Sequence, residues 1–155
     1  MTAIVPFREE FTSAFAQLNR EWIERFFTIE EGDLKMLLDP HASILSGGGQ
    51  IFFALDDATP VGTVAAVRES ESVFELAKMA VRPSHQGQGI GERLGQAAIQ
   101  YARERGAAMI YLETNSVLKN AIRLYERLGF THASPPHPSP YARADVYMEL
   151  RFTTG

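Results

Sequence analysis

Apolar residues at Phe7, Phe11, Phe15, Leu18, Trp22 and Phe26 recur every three or four positions. That is the spacing of one helix face, and it predicts one or two amphipathic helices over about residues 8 to 26 with the aromatic stripe turned to the core. "EEGDLKMLLDP" (30–40) predicts a second short helix that stops before Pro40, because the residue preceding proline is pushed out of helical geometry. The glycines at 47–49 then read as a loop. "QIFFAL" (50–55) and "VGTVAAVRE" (61–69) are extended runs around the turn chemistry of "DDATP", which predicts an antiparallel hairpin. "SVFELAKMAV" (72–81) follows a short polar link and completes a three-stranded meander.

After Pro83 the period changes. Ile90, Leu94, Ala97, Ala98, Tyr101 and Ala102 share one helical face that runs to about Arg105, and Gly106 suits a left-handed stop. "AAMIYLET" (107–114) is apolar on both faces, as a buried strand is. Strand, turn, helix and strand in this order make a right-handed crossover, so the strands near 78 and 110 should be parallel neighbours or near neighbours. Ser116 is placed to cap a further helix with Leu118, Ala121, Ile122, Tyr125 and Leu128 on its apolar face, stopped by Gly129 with Phe130 packing back. "SPPHPSPY" (134–141) holds four prolines in eight residues and reads as a stiff loop. "ARADVYMELRF" (142–152) reads as the last strand.

Composition narrows this picture. The 155 residues suit a single domain (1–155), and 45% apolar with 22% charged residues is the balance of a globular chain. A net charge of -4 gives no general field for nucleic acid or an anionic membrane, so neither is expected as a partner. The absence of cysteine excludes disulfides and thiolate chemistry and agrees with a reducing cytoplasm. No basic leader with a long apolar core opens the sequence. His41, His85, His132 and His137 have no metal-ligand spacing, and no metal is expected.

The chemistry concentrates in "VRPSHQGQGIGERL" (81–94). Glycines between a strand and a helix permit positive φ, bare the backbone amides and sit at the positive end of the helix dipole, so the turn suits an anion such as a diphosphate. A tight turn without a ligand uses the same residues. A Walker loop would need GxxxxGK before Ser or Thr, and a dinucleotide GxGxxG would need glycine where Glu92 stands.

Gln86-Gly87-Gln88-Gly89-Ile90-Gly91 instead resembles the acyl-CoA signature of the GNAT superfamily, the acetyl-CoA-dependent N-acetyltransferases related to the general-control histone acetyltransferases. "ELAKMAVRPSHQGQGIGERL" is similar to the family's fourth strand, pyrophosphate loop and helix. "AIRLYERLGF" (121–130) is similar to the helix after its fifth strand. The resemblance implies an α+β fold, with a central mixed β-sheet of six to seven strands flanked by about four helices. It also implies acetyl transfer from acetyl-CoA to a primary amine of a small molecule or peptide, by direct attack and without a metal. A homodimer is compatible with it. The competing reading is a non-catalytic acyl-CoA sensor or interaction module, which would keep the loop but need neither Tyr125 nor Glu75.

Residue by residue, the resemblance implies that amides of Gln86, Gly87, Gln88, Gly89, Ile90 and Gly91 bind the CoA pyrophosphate, and that the backbone at Met79 and Val81 bonds the pantetheine arm. Asn115 is a further candidate contact to the arm, or a turn residue. Tyr125 is the candidate acid for the departing thiolate, or one more member of its helix's apolar stripe. Glu75 is the candidate base. In an unbroken strand it shares a face with Ala77, Met79 and Val81, an apolar setting that raises a carboxyl pKa, whereas a bulge would spoil that alternation. Its other reading is a substrate-orienting or structural carboxylate. The acceptor site would draw on Glu21, Trp22 and Phe26 from the N-terminal helices and on Tyr141 and Arg143 from the loop before the last strand. Arg143 is able to receive a carboxylate bidentately, or is an exposed strand arginine. Gln86 stands where arginine is commoner, which removes one positive charge from the loop.

Overall fold

A computed structural model describes residues 2–153. The meander forms as the alternation predicts, from β2 (Gln50–Asp56), β3 (Thr59–Arg68) and β4 (Val73–Val81). The crossover follows through α3 (Ile90–Glu104) into β5 (Met109–Thr114), and α4 (Lys119–Leu128) comes next. Beside these lie β1 (Thr2–Pro6), α1 (Thr12–Phe26), α2 (Glu31–Leu38), β6 (Thr131–His132) and β7 (Val146–Arg151). The seven strands form one sheet in the order β1-β2-β3-β4-β5-β7-β6. Only β4 and β5 pair in parallel, so the sheet is mixed.

Two apolar layers cover the sheet. On one face Ile90, Leu94, Ala98 and Ala102 of α3 pack on Phe74, Leu76, Ile110 and Leu112, with Phe130 and Met148 in the same cluster. On the other, Phe11, Phe15 and Leu37 pack on Ile51, Phe53, Leu55 and Ala65. Leu94 is wholly buried, and truncating such a leucine to alanine costs about 2 to 5 kcal/mol.

Several expectations need correction. β1 was not expected; it is an edge strand of five residues pairing antiparallel with β2, and Pro6 is tolerated at its end. The helical pattern from residue 8 needs no correction: within the expected one or two helices it divides into a short 3-10 turn (Glu9–Phe11) and then α1. Ser116 does not cap α4. The helix starts at Lys119 without a side-chain cap, because the Ser116 N–H and hydroxyl both donate to the Asp145 carboxylate, each at 2.8 Å. The last strand begins at Val146 rather than 142, since residues 141 to 145 turn to meet the end of β5.

The change with most bearing on function lies in β4. Ala65 pairs with Ala77 but Thr63 pairs with Ala80, so β4 carries one extra residue. Lys78 has φ of 54°, a left-handed conformation uncommon outside glycine. The bulge reverses the alternation. Ala77 packs with the α1 side, whereas Met79 and Val81 pack on the α3 side. Glu75 therefore does not share a face with Met79 and Val81.

Candidate active site

β4 and β5 pair only from Val73–Met109 to Glu75–Tyr111. β4 then continues to Val81 and β5 to Thr114 without pairing each other, while β5 stays paired to β7 as far as Thr114–Val146. Two parallel strands thus splay apart at Glu75, and the opening runs between a groove at the glycine loop and a cavity beneath α1.

The groove is walled by Met79, Val81, the loop and α4. Gly87 and Gly89 both have φ of 79°, and a Cβ on either would meet nothing within 4 Å. These glycines are required by backbone conformation, and the space beyond them is open. Gly89 stands directly before α3, whose first turn offers unpaired amides at the positive end of the dipole. Gly91 and Gly95 have a different cause. Their added Cβ atoms would lie 3.1 Å from Leu124 Cδ2 and 2.5 Å from Leu128 Cδ1, so both are small to let α4 approach α3.

Gln86 and Ile90 line the groove, but the Gln88 side chain turns to a separate hollow with Thr2, Asp56 and Arg93. The Gln86 side-chain Nε2 donates to the Val81 carbonyl at 3.0 Å. Positive charge near the loop comes instead from Arg123 and Arg127 of α4, the latter 3.4 Å from Glu92. Asn115 acts as a clamp: its Nδ2 donates to the Arg143 carbonyl at 2.6 Å and its Oδ1 accepts from the Val117 N–H at 2.9 Å. Both of its polar atoms are thereby engaged within the chain.

Tyr125 and Met79 line both the groove and the cavity, as does Trp22. Tyr125 packs edge-on against Phe130 with ring centroids 6.2 Å apart, and burial pushes its phenol up to about 12. The hydroxyl therefore keeps its proton at neutral pH. Glu75 lines the cavity; burial, reinforced by the charges of Glu69 and Glu113 and opposed by Lys78, pushes its carboxyl up to about 8. Glu75 shares the cavity with Asn19, Trp22 and Ile23 of α1, so its burial does not depend on an unbroken alternation along β4.

Trp22, Tyr141 and Arg143 do line the cavity, whereas Glu21 and Phe26 do not. Glu21 faces an outer hollow beside α2, and Phe26 is 45% exposed, stacked edge-on with Trp22 at 5.0 Å. Asn19, Ile23, Phe27 and Met36 take their places. A polar residue four positions after Phe15, inside the apolar stripe, was the readable signal for Asn19.

Beside the cavity lies a charged cluster without a sequence signature. Asp33 of α2 is fully buried and accepts from both terminal nitrogens of Arg143, at 2.7 and 2.6 Å, and from Lys78 Nζ. Burial alone would raise its carboxyl, but the Arg143 and Lys78 bonds prevail and hold it at about 2. Arg143 also reaches Glu30 at 3.3 Å, and Lys78 and Arg143 both lie over the Tyr141 ring. Arg143 is thus neither an exposed strand arginine nor an open fork, since Asp33 fills its bidentate face.

Among the described residues no group of three or more His, Asp or Glu is arranged to hold a metal, and no helix is long and apolar enough to cross a membrane.

The architecture is thus a mixed sheet splayed at its parallel pair, with a glycine loop opening into that gap. Residues 13–130 match the acetyltransferase (GNAT) family, and the chain belongs to it. The uncharacterized N-acetyltransferase YjgM of Escherichia coli is 38% identical over 99 residues, covering 61% of this chain and 59% of that protein. Human N-acetylaspartate synthetase is 35% identical over 86 residues, covering 55% and 28%. The chain thus spans less than two thirds of these curated relatives. Among solved structures, a GNAT-family acetyltransferase from Staphylococcus aureus superposes with a TM-score of 0.87 at 19% identity, covering 97% of this chain and 99% of that one. The Salmonella typhimurium protein yncA, determined with its cofactor acetyl-CoA, gives 0.80 at 19% identity over 100% and 96%. These structural neighbours establish the fold.

Proposed function

We propose that this chain transfers an acetyl group from acetyl-CoA to a primary amine of a small molecule or peptide, by direct attack within a ternary complex. One observation carries the reading: the β4–β5 splay joins a glycine-loop groove to a carboxylate-bearing cavity, with Met79 and Tyr125 lining both. The groove fits a CoA diphosphate, because Gly87 and Gly89 leave open space over the loop and Arg123 stands beside it. Acetyl-CoA supplies the activated acyl group.

The chain's own residues supply the rest. Amides of Gln86 to Gly91 hold the diphosphate, and the freed edge of β4 at Met79 and Val81 aligns the pantetheine arm. Asn115 serves mainly by fixing the loop before β7. A neutral-pH amine is mostly ammonium; the ionised form of Glu75, which grows as pH rises toward the carboxyl's value near 8, takes its proton and leaves a nucleophilic nitrogen. As the N–C bond forms and the C–S bond breaks, Tyr125 gives its proton to the departing sulfur, and its phenolate takes back the second proton of the acylated nitrogen, which becomes the neutral amide. The amide near Met79 faces the charge that develops on the carbonyl oxygen. We assign this activity to the cytoplasm on the cysteine-free composition; light scattering decides between monomer and homodimer.

The test is thiol release from acetyl-CoA against a panel of amines, with products weighed by mass spectrometry. Stoichiometric thiol and N-acetylated amine support the reading. CoA binding without amine-dependent thiol release overturns it.

A further inference from the structure

The charges lining the acceptor cavity differ in how they are paired. Its two cations are already taken: Lys78 Nζ by Asp33 at 2.5 Å, and Arg143 by Asp33 at 2.7 and 2.6 Å and by Glu30 at 3.3 Å. Its acceptors are not. Glu75 and Glu113 enter no ion pair among the described residues. Asn19, only 1% exposed, lines the same cavity with its Oδ1 lacking any hydrogen-bond partner. A buried acceptor is seldom left unpaired unless something outside the chain satisfies it.

We propose that the acceptor is an amine that carries no carboxylate and presents hydrogen-bond donors alone, and that Asp33 enforces this choice by filling the two cations that would otherwise receive a carboxylate. The proposal rests on the acetyl-transfer reading above. A substrate carboxylate has no free cation to meet and faces Glu113. To capture Arg143 it would have to displace Asp33, whose carboxylate is fully buried and would be left with Lys78 as its one cation. A donor-only amine instead meets Glu75, Glu113 and the Asn19 oxygen, with Trp22, Phe27 and Met36 against its apolar body.

Matched pairs that differ by one carboxylate test this: tyramine and tyrosine, cadaverine and lysine, agmatine and arginine. The expected kcat/KM in thiol release favours the carboxyl-free member by about tenfold or more in every pair that reacts, as like-charge juxtaposition requires. In Asp33→Asn, checked for folding by circular dichroism, Arg143 and Lys78 recover open charge and the ratio moves toward the amino acid. If that variant does not fold, the wild-type ratio decides alone. Equal or inverted preference in the wild type overturns the proposal, as does an Asp33→Asn ratio that stays put in folded protein. The same pairs are also titrated calorimetrically into CoA-saturated protein. Preferential binding of the carboxyl-free members without thiol release counts against acetyl transfer and for this acceptor class, whereas equal, inverted or absent binding counts against the class.

Discussion

Glu75→Gln separates the raised carboxyl of Glu75 from everything else in the site. Burial and two like charges lift this group from 4.5 to about 8, so the folded chain holds a proton that the unfolded chain releases near its ordinary value. The protonated form is favoured by folding. Stability from this group is fully present below 4.5, falls as pH rises, and stops falling above about 8. At about 1.4 kcal/mol for each tenfold step, the gap is worth up to about 5 kcal/mol across that window. Glutamine keeps the shape and has nothing to titrate. Urea denaturation of both proteins from pH 5 to 9 isolates the effect of Glu75 and its charge partners, because the titrating groups that do not interact with it are common to both and cancel in the difference. Wild type should lose several kcal/mol relative to Glu75→Gln between the ends of the series. In parallel, kcat/KM of the wild type should rise with pH up to about 8 and level off, and the variant should lose that limb. A stability difference that is flat with pH would refute the claim that Glu75 is held neutral, and with it the basis for a carboxylate base.

Three further outcomes follow from the same geometry. Gly89→Trp should fold with a loss of about 1 to 2 kcal/mol for a side chain at positive φ, yet abolish the rise in melting temperature that acetyl-CoA produces; a preserved rise removes the diphosphate assignment. Tyr125→Phe should lower kcat by about a hundredfold or more while CoA affinity stays within a few-fold, and unchanged turnover across pH would end its role as acid. Gly95→Ala, whose Cβ would press on Leu128 at 2.5 Å, should lower stability by about 1 to 3 kcal/mol through crowding of α3 against α4; a stabilised variant would show that α4 yields freely.

How much of this was legible depends on whether the cause was local. The meander, α3, β5 and α4 carry strong periodicity, and the glycine loop has a signature with a mechanical reason, so these were readable. β1 was not, because five residues at a sheet edge beside a strong helical pattern bear little period of their own. The bulge at Lys78 leaves no local mark: its cause is the pairing with β3 and the long-range bond to Asp33. The N-terminal half of the acceptor site went partly astray for a simpler reason. Trp22, Tyr141 and Arg143 do line the cavity, but Glu21 and Phe26 lie one helical step off the inward face that Asn19, Trp22 and Ile23 occupy. Asp33 was invisible, since an acidic residue in the first turn of a helix ordinarily signals nothing beyond the helix dipole. Its partners are 45 and 110 residues away.

The central claim is that the acyl donor lies along the β4–β5 splay with its diphosphate on the glycine loop. Amide resonances recorded by NMR as CoA is added report this directly. The account predicts that the largest shifts fall on residues 86 to 91 and on Met79 and Val81, with Tyr125 next and the outer hollow between α1 and α2 unmoved. Shifts centred on that outer hollow, or an unperturbed glycine loop at saturating CoA, would contradict it.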